Sequence, residues 1–481
     1  MTEKPQFGKG MLVLLFSKGY FLVTGYALYI LLTRFLGPEL FGVYGIVIGL
    51  VSMIGTVLLG GSNQAVSKYI AGQEASAENI KHKALQLQAA LGSAVFILFW
   101  ALSKPIAGLF DDPSLAVYFR LASPIILFNS FYGVYLGYLN GLKDFRRQAG
   151  LEVIYASAKI LLMVLLVSLG YSLEGALGGF VLATMAIVGF CVLRIGRSAQ
   201  EAAPPLTKIA MFQVWIMIYT LLINLMLNID LFWIKAIMNP ATANFQAGLY
   251  NAALTIARIP YFVVLPLSAV IFPAVSASVF RRDAAETRYY IAKSLKSSIA
   301  FLSLGVALIA TNAKALIELL YTQRFSLGSE ALAIVSFGTM FYSLITVATT
   351  IIAGAGFPRP AILILGASLA GDCLLNGWLI PRRALVGAAL ANSISMGMGA
   401  ALCMVYLKKK FGAFVSFAAL SKLTIPFLPT VGISLFWRAE GILLLIKITS
   451  LTLLYFALLL ALKEIQLRPQ LPFITVRDDG R

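Results

Sequence analysis

Apolar runs of about 20 residues recur along almost the whole chain, and this limits its fold more than any other feature. A run of that length suits a helix crossing roughly 30 Å of hydrocarbon. Fourteen such spans are expected, at 11–33, 42–62, 84–103, 116–139, 149–170, 173–193, 209–237, 247–275, 293–312, 331–353, 360–380, 384–407, 418–437 and 441–462. Helix breakers fall between them: Gly37-Pro38, Lys104-Pro105, Asp111-Asp112-Pro113, Pro204-Pro205, Asn239-Pro240, Pro358-Arg359-Pro360 and Pro381. Fourteen spans leave no room in 481 residues for a sizeable domain outside the membrane. The chain is 60% hydrophobic and 12% charged, half the charge (about 25%) of a soluble protein, so soluble domains and disorder are both excluded. The fold class expected is an all-α integral membrane protein.

The first run is longer than the ~7–15 residues of a signal h-region and lacks a small-residue cleavage site, so it is expected to be an uncleaved first helix. An even number of spans puts both termini on one side. With the termini cytoplasmic, and charges near span ends counted with the adjoining side, 25 Lys and Arg fall inside, nine outside and four (Lys18, Lys159, Arg258 and Lys447) deeper within spans. That is the bias of the positive-inside rule. The net charge of +18 therefore reads as topology, not nucleic-acid binding, and the localisation expected is the cytoplasmic membrane. Basic clusters at Arg281-Arg282 to Lys296, Lys408 to Lys410, and Lys143 with Arg146-Arg147 are topology signals that could also touch lipid headgroups. The three cysteines (Cys191, Cys373 and Cys403) lie in apolar runs, and His82 is the only histidine, so no metal site is expected.

The spans repeat. Gly42-Val43-Tyr44 and Gly248-Leu249-Tyr250 are 206 residues apart. Gly141 with Arg146 recurs as Gly354 with Arg359 at 213, and Glu174-Gly175-Ala176-Leu177 as Val386-Gly387-Ala388-Ala389 at 212. Each match joins spans six apart, which implies two parallel six-helix halves with a cleft between them. The divisions expected are 1–200, 201–410, and 411–481 carrying spans 13 and 14 and a cytoplasmic tail.

The stretch Arg34-Phe35-Leu36-Gly37-Pro38-Glu39-Leu40-Phe41-Gly42-Val43-Tyr44 resembles the signature after the first helix of polysaccharide flippases in the multidrug/oligosaccharidyl-lipid/polysaccharide exporter superfamily. Asn228-Ile229-Asp230 followed by Gly248-Leu249-Tyr250-Asn251-Ala252-Ala253 resembles that family's pattern in spans 7 and 8, and the likeness continues through Pro266, Ile271-Phe272-Pro273 and the block from Gly354 to Gly387. The resemblance implies two lobes around a central cavity, and movement of a polyprenyl-diphosphate-linked oligosaccharide between leaflets by alternating access. It implies partners in lipid and in glycan polymerase or glycosyltransferase machinery. An ion-coupled multidrug or metabolite antiporter and a lipid II-type peptidoglycan flippase are the related alternatives. The first span has Lys18 where the lipid II branch has an Arg-Asp pair, and the multidrug branch usually has twelve spans; both departures favour the polysaccharide branch. In local terms Gly37-Pro38 stops a helix, Gly42 allows close packing, and Arg34 can snorkel at the membrane edge, so this motif reads mainly as a structural corner.

Ionisable groups at membrane depth cost roughly 2.5–3.5 kcal/mol on insertion scales and normally face a cavity or a partner. Lys18 lies about 10 Å deep at 1.5 Å per residue; it reaches a cavity diphosphate or snorkels to the cytoplasmic edge. Lys159 is central in span 5, either linked to Glu152 or a cavity cation. Arg258, before Pro260 in span 8, suits a phosphate through its guanidinium; the alternative is a buried pair with a carboxylate such as Asp230. Nearby prolines could bend that helix as a gate. Asp230 and Asp372 are candidates for coupling to H⁺ or Na⁺, or for structural pairs. Lys447 near the outer end of span 14 is expected to snorkel. Tyr26, Tyr29, Asn129, Tyr132, Asn251 and Tyr261 are candidate wall residues. The sequence carries no nucleotide-binding or nucleophile motif, so neither an enzyme nor a cofactor is expected.

Overall fold

The computed structural model describes residues 4–195, 206–413 and 417–462. Side chains of 4–12, 265–273 and 417–420 are not described, so the likeness read at Pro266 and Ile271-Phe272-Pro273, the Pro204-Pro205 break and the tail lie outside it.

Among the described residues the regular elements are all helical. The first half of the chain holds α1 (Lys4–Gly72), α2 (Ala77–Ala101), the short α3 (Ser103–Gly108) and α4 (Leu115–Ala122), α5 (Pro124–Gly141), α6 (Phe145–Leu166) and α7 (Ser172–Arg194). The second half holds α8 (Leu206–Ile237), α9 (Pro240–Ala257), α10 (Ile259–Phe280), α11 (Ala284–Thr311), the short α12 (Ala313–Leu320), α13 (Ser329–Gly354) and α14 (Pro358–Phe411). Two further helices follow, α15 (Phe417–Phe436) and α16 (Ile442–Ala461). Ten helical stretches are long and apolar enough to cross a membrane. Three of them are broken within into two limbs, and Ser421–Phe436 is a shorter apolar helix, which together account for the fourteen runs in the sequence. The chain is a multi-pass membrane protein.

The breaks have local causes. Gly37 takes φ +69, which suits glycine, and Pro38 supplies no N–H to continue the ladder of α1. Span 8 divides into α9 and α10 at Arg258, because Pro260 cannot donate to the carbonyl of Ile256. Ser172 (φ 46, ψ −124) and Ala384 (φ 47, ψ −126) share one strained turn 212 residues apart. Close packing beside the turn recurs as well. A Cβ on Gly175 would stand 2.9 Å from the carbonyl carbon of Leu166, and one on Gly387 2.6 Å from that of Leu379. The offset seen in the sequence thus carries the same backbone geometry twice.

Within the first half, Gly133, Gly137 and Gly141 lie four residues apart on α5. They let it sit on the second limb of α1: a Cβ on Gly137 would be 2.6 Å from Asn63 O. Lys447 does not snorkel. It is 2% exposed, donating to Asn312 Oδ1 at 2.6 Å and Ser434 O at 2.7 Å, and so ties α16 to α11 and α15.

Candidate functional site

The two halves meet most tightly at the face that is poor in lysine and arginine. There Gly42 on α1 and Gly248 on α9 pack reciprocally. A Cβ on Gly42 would collide with Asn244 O, four residues before Gly248; one on Gly248 would collide with Pro38 O, four residues before Gly42. This reciprocity is what an axis relating the halves requires. Tyr44, two residues on, is buried and stacked on Phe41, with Tyr29 edge-on to both. Arg34 is exposed at the end of the first limb.

An ion pair crosses the same face. Lys235 Nζ, 1% exposed on α8, lies 2.7 Å from Asp112 Oδ2 in the turn before α4. Ser114 also donates to Asp112, and Asn244 does so weakly at 3.5 Å. Lys235, near the end of span 7, is a buried contact between halves, because its carboxylate arrives from 123 residues away. Burial pushes the Asp112 carboxyl up, but Lys235 and the Ser114 donors outweigh it and hold the group below its usual value. A lowered carboxyl gives its full contribution above its unfolded pKa, near 4, and loses it only as the pH falls through the lowered value. Closure of this face is therefore expected to be the same at pH 8 and pH 5 and to loosen only in stronger acid. Distances between spin labels at Glu39 and Ala241 would show this.

Deeper in, helices of the two halves stay joined along one side. Gln88 Nε2 donates to Gln213 Oε1 at 2.9 Å, and Tyr69 donates to Lys208 O at 3.1 Å. On the other side Tyr26 donates to Thr255 O at 3.1 Å and meets Phe262 edge-on. Two turns from Tyr26 toward the basic face, Lys18 is 60% exposed.

The three predicted cations have different surroundings. Lys18 Nζ bonds Glu152 Oε1 at 2.7 Å. Lys159 is not on Glu152; its ammonium lies 5.0 Å from the ring centres of Phe21 and Phe180. Arg258, at the break of span 8, donates through Nη2 to Leu227 O and, at 3.5 Å, to Asn228 Oδ1, while its Nε is buried without a partner. The pair with Asp230 weighed from the sequence does not form: both Asp230 oxygens go elsewhere.

They go to amides. Asp230 is fully buried, with Oδ1 accepting from Asn376 and Oδ2 from Asn392, each at 2.8 Å. Asn376 also reaches Asp372 Oδ1 at 3.2 Å, one turn before it on α14. Asp372 Oδ2, Asn376 Oδ1, Asn392 Oδ1 and Ser395 Oγ are buried without hydrogen-bond partners, beside Tyr250. Asn376 thus bridges the two carboxylates within one buried polar cluster. Among the described residues no larger group of His, Cys, Asp or Glu gathers as a metal site.

Of the predicted wall residues, Asn129, Tyr132 and Asn251 are buried, each with an unpartnered polar atom, and Tyr261 packs on Tyr342 and Phe262. Sequence reading missed Asn392 and Ser395. The available signal was a cluster of three polar residues, Asn392, Ser393 and Ser395, in an otherwise apolar stretch.

Residues 7–279, over half of the chain, match the profile of a family described as polysaccharide biosynthesis protein. Over 351 residues the chain is 24% identical to an uncharacterized membrane protein, YabM, of Bacillus subtilis strain 168; the match covers 66% of this chain and 64% of YabM, under two thirds of that relative. The fold is similar to a structure of the lipid II flippase MurJ in an inward closed conformation (TM-score 0.79, 14% identity, 94% of this chain and 99% of that one). It is also similar to an inward-facing multidrug resistance MATE family transporter of the MOP superfamily (TM-score 0.68, 16% identity, 83% and 99%). The profile match, on a fold shared with those two structures, makes this chain a member of the polysaccharide biosynthesis protein family.

Proposed function

We propose that the protein is a transporter that moves a polyprenyl-diphosphate-linked oligosaccharide across the cytoplasmic membrane by alternating access. The observation that carries this is Arg258: a guanidinium set at a helix break, held by two neutral oxygens of α8, paired with no carboxylate among the described residues and with Nε unsatisfied. Such a group matches a diphosphate by charge and by geometry. Lys18, two turns from Tyr26 on the first limb of α1 and 60% exposed, is a second cation for the same substrate, and Tyr26 offers its ring to a sugar.

The face closed by Gly42, Gly248 and the Asp112–Lys235 pair is then the outer one, and the basic face is cytoplasmic. The Asp230–Asp372 cluster supplies coupling to H⁺ or Na⁺. A multidrug antiporter would share that cluster but has no use for a cleft lined with cations. The protein acts as a carrier, not an enzyme, and glycosyltransferases or a glycan polymerase would act on its substrate on either side.

Depleting the protein in its own organism tests this. Lipid-linked oligosaccharide should build up in the inner leaflet and clear when the wild type is restored. Unchanged lipid-linked sugars on depletion would refute the reading.

A further inference from the structure

Lys18 and Arg258 are both expected to meet the substrate's diphosphate, yet they wait for it differently. Arg258 is held by a carbonyl and an amide oxygen, both neutral. Lys18 is held by a carboxylate at 2.7 Å. That carboxylate is itself fixed: Gln148 donates to Oε1 at 3.3 Å, and the Ser17 hydroxyl, whose one proton is shared with Leu14 O at 2.8 Å, reaches Oε2 at 3.1 Å. The exposures are unequal as well, 60% for the Lys18 side chain against 5% for Glu152. The ammonium is on a flexible, exposed stem, and the carboxylate behind it is buried.

We propose that Glu152 is the resident counter-ion of Lys18, a placeholder that an anionic group of the substrate displaces. This rests on the transport reading above. In the empty protein the pair is neutral as a unit, which lowers the cost of a cation at this depth. When a diphosphate enters, Lys18 swings from Glu152 to the phosphate oxygens. Glu152 cannot follow, because Ser17 and Gln148 hold it and it is walled in. It keeps Gln148 and a share of the Ser17 proton meanwhile, so it is never left without a partner. When the substrate leaves, the same carboxylate recaptures Lys18. Glu152 therefore weakens binding and promotes release. It is a positioning residue that acts through Lys18 and does not touch the substrate.

The test uses the purified full chain, with inorganic pyrophosphate as the probe in calorimetry and a polyprenyl-diphosphate sugar in proteoliposomes. Glu152→Gln should bind pyrophosphate about tenfold more tightly than wild type, since the competing charge is gone. Glu152→Asp, which draws the carboxylate back by one methylene, should gain less. Lys18→Ala with Glu152→Gln should lose the gain. In transport, Glu152→Gln should lower KM and kcat together, because release slows. The swap Lys18→Glu with Glu152→Lys should fail to restore transport, since it buries the cation out of reach.

Pyrophosphate affinity in Glu152→Gln and Glu152→Asp equal to or below wild type would overturn the proposal. So would wild-type transport by the swapped pair, which would make the contact merely structural. If only these fail while Arg258→Ala still abolishes pyrophosphate binding, the transport reading stands alone. If pyrophosphate binds to none of the forms, that reading fails with it.

Discussion

Gly42→Val and Gly248→Val are each expected to cut transport roughly tenfold to hundredfold, by keeping the charge-poor face from closing. Each glycine lies against backbone of the other half: Asn244 O and Gly248 N for Gly42, Pro38 O and Gly42 N for Gly248. Backbone cannot turn aside as a flexible side chain does. Overpacking of this kind costs about 1–3 kcal/mol, and since the closed state alone bears the cost, its population falls up to about a hundredfold. Spin labels at Glu39 and Ala241 should move apart in both variants. Gly189→Ala, where a Cβ meets nothing within 4 Å, is the control and should behave as wild type. Normal transport and unchanged label distances in both valine variants would show that this contact is not the closing point.

Those two glycines also show what a sequence can and cannot disclose. Their spacing of 206 residues was visible, as were the stops at Gly37-Pro38 and the offset of 212 that the turns at Ser172 and Ala384 now share. Span lengths were legible because hydrocarbon thickness sets them. That Gly42 would face Gly248 across an axis was not legible, because a repeat gives correspondence and not contact. Partners were hidden for the same reason. Nothing in the sequence pointed from Lys235 to Asp112, and Lys447 looked like a snorkelling end until Asn312 and Ser434 enclosed it. Glu152 was weighed only for Lys159, on its own helix; the packing of the first limb of α1 against α6 gave it to Lys18 instead and left Lys159 to two phenyl rings. Depth can be read from position along a span, whereas pairing depends on contacts between distant segments.

Arg258→Ala is the second change with a large expected effect. Losing one partner of a buried charged contact costs about 2–5 kcal/mol, so transport efficiency should fall at least about thirtyfold. Arg258→Lys should recover part of it, since an ammonium keeps the charge but loses the planar fork. Both variants free Leu227 O and Asn228 Oδ1, so fold and thermal stability should be checked beside transport. If the alanine variant transports as well as wild type, the diphosphate is not held at the break of span 8.

The central claim is that the cleft between the halves carries an anionic lipid-linked sugar from one leaflet to the other. The most direct measurement places the purified protein in liposomes containing a polyprenyl-diphosphate oligosaccharide. A membrane-impermeant glycosidase then follows how fast the sugar becomes accessible. Wild type should accelerate exposure well above protein-free vesicles, Arg258→Ala should remove most of that acceleration, and a neutral polyprenyl glycoside should not be moved. Exposure no faster than in empty vesicles, or equal movement of the neutral and diphosphate lipids, would contradict it.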